Sequence, residues 1–239
     1  YALEPLLARL ADSPSAEVRG KIYELAGARG FAGLLERALE EVRGSPAGQD
    51  GVVRPAVKYL LAVSPEAPVL AKEFLWHSNW MVGESALEAL AGQGEAGRDR
   101  IPLDWLAANS QAPDSQRRRL AALALGVAGD QGTEALHHLL ADPDPGVKTA
   151  ACRAAGLLKN RLYVQALLDM LPDARLRAAA TDALAAYGTR ICGALGDLLE
   201  DETVPVAIRR RIPRALRQVA EQRSVDVLLH SIGERNLAV

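Results

Sequence analysis

Apolar residues recur along this chain at the spacing of one helix face, and the recurrence itself repeats. Seven segments align without gaps over ten positions: VRGKIYELAG from Val18, VRPAVKYLLA from Val53, VGESALEALA from Val82, RRRLAALALG from Arg117, VKTAACRAAG from Val147, LRAAATDALA from Leu176 and IRRRIPRALR from Ile208. Their starts are separated by 35, 29, 35, 30, 29 and 32 residues. The first, fifth, eighth and ninth positions return to the same side of a helix. Of those 28 positions 27 are apolar, with Arg117 the exception, where a chain of this composition would give about 14 by chance. The second position is basic in six segments, as Arg19, Arg54, Arg118, Lys148, Arg177 and Arg209, with Gly83 the outlier.

A second, Leu-rich helix is expected before these helices, marked by Leu6-Leu7, Leu34-Leu35, Leu139-Leu140, Leu167-Leu168, Leu198-Leu199 and Leu228-Leu229. Each repeat then reads as a helical hairpin. Helix stop and start chemistry lies between its helices, at Asp12-Ser-Pro, Asp142-Pro-Asp-Pro, Pro172-Asp173 and Asp201 through Pro205, where Asp can cap the second helix and meet the basic second position. Pro205 suits a first helical turn. Pro213, deep in its segment, predicts a bend. The stretches Gly44 to Gly51 and Ser110 to Ser115 are expected to be the mobile loops. One hairpin cannot bury both of its apolar stripes, so neighbours must stack and share a ribbon of core.

The pattern V-R-x-x-A-A-x-A-L-G, clearest as VKTAACRAAG and RRRLAALALG and preceded by an Asp-Pro turn, resembles the HEAT repeat family and its short bacterial PBS-lyase-like branch. The resemblance implies an all-α fold, an α-solenoid in the form of a right-handed superhelix of about seven HEAT-like hairpins. It also implies a structural ladder between successive repeats, formed by the turn Asp and by Arg19, Arg54, Arg118, Lys148, Arg177 and Arg209; Gly83 interrupts it. A single solenoid over 1–239 is expected, less regular over 1–113, regular over 114–233, with 234–239 starting a further repeat. The C-terminal stretch VPVAIRRRIPRALRQVAEQRSVDVLLHSIGERNLAV is similar to HEAT segments of bacterial proteins. In these, an ATP/ADP-translocase-like or major-facilitator-like membrane domain is joined to a cyclic-nucleotide-binding module. That likeness implies a cytoplasmic spacer or regulator, at the cytoplasmic face of the inner membrane. The chain opens inside a Leu-periodic segment (Leu3, Leu6, Leu7, Leu10), which reads as part of something longer.

Composition agrees with many small helices at close range: 49% of residues are hydrophobic but only 4% aromatic, so Leu and Ala must fill the core. The formal charge is −2, with 28 Lys and Arg against 30 Asp and Glu; no global field draws in nucleic acid or an anionic membrane. Cys152 and Cys192 lack a neighbouring cysteine at metal-ligand spacing and read as core filling in a reducing compartment. The longest uncharged stretch considered, Leu120 to Gly129, is about half of what a bilayer requires.

Candidate chemistry is sparse. Gly92-Gln-Gly-Glu-Ala-Gly97 matches the dinucleotide fingerprint G-x-G-x-x-G, but follows a helix where that motif needs a strand, and falls where a tight turn is required. His137 and His138 are adjacent and point about 100° apart on a helix, so they cannot share a metal. Glu84 and Glu88 share a helix face, which reads as solvated. No catalytic, cofactor-binding or metal-binding residue is assigned. Trp76, Trp80, His77 and Trp105 form the one aromatic concentration, with interface anchor and partial core both open. Arg210, Arg214 and Arg217, spaced four and three apart, are expected to form a basic stripe on the wall of second helices. It would face an acidic partner segment, a phosphorylated peptide or lipid headgroups, or be a solvated surface.

The expectation is a non-catalytic scaffold or spacer whose partner is a protein or a neighbouring domain, with Arg210, Arg214, Arg217, Trp76 and Trp80 as candidate contacts. A HEAT-like enzyme resembling bilin lyases or DNA glycosylases is the alternative by analogy. A nucleic-acid binder using Arg117 to Arg119 and Arg209 to Arg217 is a third.

Overall fold

Short helices joined by capped turns account for the chain, and no strand occurs among the described residues. The computed structural model describes residues 3–45, 50–129 and 132–233. Of the two predicted mobile loops, 46–49 lies outside the described residues, as do 234–239. The other, between Ser110 and Ser115, is a short turn over 111–114. It is short because Asp114 caps the next helix, accepting from the Gln116 amide at 3.0 Å.

The helices fall into two compact units, Tyr1–Asn109 and Ser110–Val239. The N-terminal unit holds α1 (Leu3–Leu10), α2 (Ala16–Arg29), α3 (Leu35–Arg43), α4 (Asp50–Val63), α5 (Ala67–Leu75), α6 (Trp80–Ala91), the single turn α7 (Glu95–Arg98) and α8 (Leu103–Ser110), whose last residue falls in the second unit. The C-terminal unit holds α9 (Ser115–Ala128), α10 (Thr133–Leu140), α11 (Pro145–Leu158), α12 (Val164–Met170), α13 (Arg177–Ala186), α14 (Thr189–Glu200), α15 (Val206–Arg209), α16 (Ile212–Gln218) and α17 (Gln222–Gly233). Second helices pack on second helices in order, α2 on α4 on α6 in the first unit and α9 on α11 on α13 on α16 in the second.

The aligned apolar positions form this seam. All of them are buried except Val18, Leu25, Ala89 and Arg117. Helix starts follow from short polar caps: Ser15, Asn79, Asp114 and Asp144 each accept a backbone amide of the first turn, satisfying donors that have no partner inside the helix. Small residues set the helix spacing. A Cβ on Gly126 would lie 3.0 Å from Ala154 Cα, and one on Gly156 would lie 3.0 Å from Ala183 Cα. Both glycines hold the tenth repeat position and both alanines the eighth of the following repeat.

Side chains of one hairpin also satisfy free carbonyls of another. Tyr59 donates its hydroxyl to the Phe31 carbonyl at 2.7 Å and accepts the Leu34 amide at 3.2 Å, and Gln93 donates to the Leu61 carbonyl at 3.1 Å. In the second unit Tyr187 donates to the Asn160 carbonyl at 2.7 Å. Burial pushes the Tyr187 phenol up, with the Tyr163 phenol adding to the effect, so it remains a donor at neutral pH.

The two interior prolines have different outcomes. Pro55 stays inside α4, and Gly20 of α2 packs against the nearby Gly51 carbonyl, which a Cβ there would approach to 2.5 Å. At Pro213 the expected bend is a break: α15 ends at Arg209 and α16 begins at Ile212. The proline then falls in a first turn, where its missing N–H costs nothing. Pro205 is the residue before α15, in extended geometry (φ −53°, ψ 131°), and not part of its first turn.

Candidate functional site

The second-position cations lie at the turns inside the hairpins. Arg19 donates to the Ser13 and Pro14 carbonyls at 2.8 and 3.0 Å. Arg118 donates to those of Ala112 and Pro113, both at 2.9 Å. Arg177 does the same to Leu171 and Pro172, at 2.9 and 2.7 Å, and Arg209 reaches the Val204 carbonyl at 3.1 Å. Each guanidinium thus reaches back five or six residues to carbonyls of the turn that follows the first helix. Nothing in the residue pattern announced this, because the acceptors are backbone.

Two of these arginines extend to the next hairpin. Arg19 Nε donates to Glu41 at 2.9 Å, and Glu41 also accepts from the Tyr23 hydroxyl at 3.1 Å. Arg118 grips Asp142 with Nε and Nη2 at 2.7 and 3.0 Å; their side chains are only 16% and 6% exposed. Burial alone would raise the Asp142 carboxyl, but Arg118, the Asp144 amide and the charge of Lys148 together hold it below the usual carboxylate range. Asp142 and Asp144 divide the work expected of one turn Asp: Asp144 caps α11 and Asp142 takes the cation.

Lys148 makes no side-chain hydrogen bond among the described residues. Its charge nonetheless adds to the Arg175 contacts that lower Asp173. Arg54 departs from the pattern, pairing at 3.0 Å with Glu88, which also takes Lys58 at 3.1 Å. Arg209 is buried, and its Nη1 has no hydrogen-bond partner among the described residues.

The aromatic concentration is not one surface. Trp105 is 1% exposed and donates its indole N–H to the Leu75 carbonyl at 3.0 Å. Trp76, at the C-terminus of α5, is 49% exposed. Trp80 opens α6 half-buried, and His77 Nδ1 accepts the Asn79 amide at 3.0 Å.

The basic stripe is divided as well. Arg214 and Arg217 line a cavity of about 320 Å³ between α13 and α16, with Arg177, Thr181, Asp182 and Gln218 among its walls. Arg210 is exposed at the end of α15 and is not part of that lining. A related cavity of about 220 Å³ lies between α9 and α11, where Arg119, Leu123, Thr149 and Arg153 meet. Arg153 and Asp182 were missed by sequence reading, and Arg119 entered it only within the nucleic-acid alternative, Arg117 to Arg119. Their signal was present at the third and seventh repeat positions, which line both cavities.

Gly94 takes a left-handed φ of 62° ahead of α7, and a Cβ on Gly97 would meet the Leu90 carbonyl oxygen. The glycines of G-x-G-x-x-G thus close a turn between helices. His137 and His138 are both exposed, and no group of three or more metal-ligating side chains occurs among the described residues. Cys152 is buried, and burial pushes its thiol up to about 12. No helix among the described residues is long and apolar enough to cross a membrane.

Stacked hairpins with a shared apolar seam define an all-α solenoid. Residues 102–185, from just before α8 to near the end of α13, match the family model of HEAT repeats. No curated protein matches the chain.

Proposed function

We propose that this chain is a non-catalytic scaffold or spacer that presents its second helices to a protein partner or to a neighbouring domain of a longer polypeptide. HEAT repeats commonly serve as protein-interaction scaffolds, which supports the reading. One observation carries it. The seam positions are almost uniformly apolar and buried, whereas the seventh position is exposed in five of the seven segments, as Glu24, Glu88, Arg153, Asp182 and Arg214, with Leu123 half-buried and Tyr59 buried. A surface whose chemistry changes from repeat to repeat over a constant seam is how a solenoid acquires a partner. Trp76 is the proposed anchor on the N-terminal unit, since a half-exposed indole adds large contact area at small conformational cost. The C-terminal likeness to transporter-linked HEAT segments supports a cytoplasmic location in a larger bacterial protein, a point that the parent reading frame on either side decides.

Site-specific photo-crosslinking tests the scaffold reading. A benzophenone side chain in place of Leu123 or Trp76, carried by the parent protein in its own cells, is expected to give discrete protein adducts. The same group at Val69 or Leu162, exposed on first-helix elements away from the turn between α5 and α6 that carries Trp76, is expected to give none. Equal labelling at all four sites would contradict the assignment.

A further inference from the structure

We propose that the cavity between α13 and α16 binds a phosphate monoester carried on a serine or threonine of a partner protein. This rests on the scaffold reading and names the chemistry that the partner brings. The guanidinium groups of Arg177, Arg214 and Arg217 line the cavity against a single carboxylate, Asp182. Arg177 spends Nε and Nη2 on the Leu171 and Pro172 carbonyls. The side chains of Arg214 and Arg217 make neither an ion pair nor a hydrogen bond among the described residues. Asp182 is itself held to α16, accepting from the Gln218 amide at 3.2 Å. Three cations against one acid leave two positive charges, and a phosphate monoester brings about −1.5 to −2 at neutral pH.

A buried hydroxyl faces the same cavity. Thr181 is 5% exposed and belongs to the lining, and its Oγ1 has no hydrogen-bond partner among the described residues. A buried hydroxyl left unpaired works against folding. The two preceding repeats put Ala122 and Cys152 at the equivalent position, so stacking itself asks for no hydroxyl there. The cavity between α9 and α11 is the contrast: Thr149 donates its hydroxyl to the Pro145 carbonyl at 2.8 Å, and Arg119 is already engaged.

Arg177 and Thr181 are four apart on α13, and Arg214 and Arg217 three apart on α16, so donors approach the cavity from two helices. A phosphate offers three strong acceptor oxygens to such donors, where a carboxylate offers two oxygens and one charge. The cavity, at about 320 Å³, stands at the lower end of the range for small-molecule sites, about 300–1,000 Å³. Its apolar lining is limited to Ala174 and Ala178 beside the aliphatic stems, so a free metabolite would bury little there. A phosphate projecting from a polypeptide draws its remaining contacts from the neighbouring wall. No aromatic lines the cavity for a base to stack on, and a headgroup in a flat bilayer would meet the exposed arginines without reaching the recessed Thr181.

The test is fluorescence anisotropy with the full chain and a labelled Gly-Ser-Gly-phosphoserine-Gly-Ser-Gly peptide, beside the same peptide unphosphorylated. Phosphorylation is expected to tighten binding about tenfold or more, and the pair Arg214→Gln and Arg217→Gln to remove that gain. Thr181→Val, which keeps the side-chain shape, is expected to weaken the phosphopeptide about three- to tenfold, whereas Thr181→Ser, which keeps the hydroxyl, should stay within about twofold of wild type. Arg119→Gln, in the other cavity, is expected to change nothing. Unchanged circular-dichroism melts establish that the variants fold. Diffuse attraction to a basic surface is blind to a buried hydroxyl, so wild-type affinity in Thr181→Val would overturn the proposal, as would the absence of any gain from phosphorylation. Free O-phosphoserine binding as tightly as the peptide would overturn the protein source in favour of a small metabolite. Tighter, equally Arg214-dependent binding to phosphatidic acid vesicles would overturn it in favour of a membrane. If phosphopeptide binding fails while the Leu123 crosslinks persist, the phosphate site falls and the scaffold reading stands.

Discussion

Replacing Asp142 with Ala is expected to destabilise the C-terminal unit by about 3 kcal/mol at pH 7, within the range for breaking a buried ion pair by removing one partner. The cost arises because Arg118 remains, shielded from water and held by the Ala112 and Pro113 carbonyls, with its Nε and Nη2 donors unmatched. Arg118→Ala is expected to cost a similar amount, since it strips both the carboxylate and two turn carbonyls. A double-mutant cycle should return a coupling close to either single effect, because the two changes remove the same interaction. The pH dependence has a fixed sign. The folded Asp142 carboxyl titrates below its usual range, so its contribution is fully present above the ordinary carboxylate pKa of about 3.9 and is lost as pH falls through the folded value. Urea titrations from pH 7 to pH 3 should show the gap between wild type and Asp142→Ala constant near neutrality and narrowing below about pH 4. A gap that stays constant throughout would show that the carboxylate charge is not what holds the turn.

Gly156→Leu is expected to be at least as damaging, at about 3 kcal/mol or more, the upper end of overpacking costs. The added Cβ alone would lie 3.0 Å from the Ala183 Cα and 3.4 Å from its Cβ. The obstacle is backbone, so no side chain can rotate away and α11 and α13 must separate. Gly156→Ala is expected to be nearly neutral, because the helix propensity gained over glycine, about 1 kcal/mol, offsets a shift of a few tenths of an ångström. The pair separates steric displacement from any requirement for glycine as such, and equal loss in both would show that the site demands glycine.

The seam was legible from residue order because burial imposes one chemistry on positions that recur every turn. Val147, Ala151, Ala154 and Ala155 declare a buried face whatever surrounds them. The turn acids were half legible: an Asp near a second-position cation was expected, but nothing in the string Asp142-Pro-Asp-Pro says which Asp caps and which pairs. The carbonyls taken by Arg19, Arg118 and Arg177 were hidden because a backbone acceptor has no residue identity. Pro213 announced a disturbance without its form, since a bend and a break differ only in whether the chain can restart a helix with proline in its first turn. The candidate docking wall was the least legible. Arg210, Arg214 and Arg217 attract notice as neighbours in sequence, whereas Arg119 and Arg153 join Arg214 only through the packing of α9, α11, α13 and α16. Trp105 stood out with Trp76 by proximity and composition, but its indole N–H found a buried carbonyl and Trp76 remained in solvent.

The account depends on neighbouring hairpins of the C-terminal unit sharing one core. Residue-resolved amide hydrogen exchange on wild type and Gly156→Leu measures this most directly. In the wild type, the central amides of α9, α11 and α13 should share one high opening free energy, and the substitution should lower it in all three by about the loss seen in denaturation. Protection falling in α11 alone, with α9 and α13 unchanged, would show that each hairpin stands by itself and would contradict the shared seam.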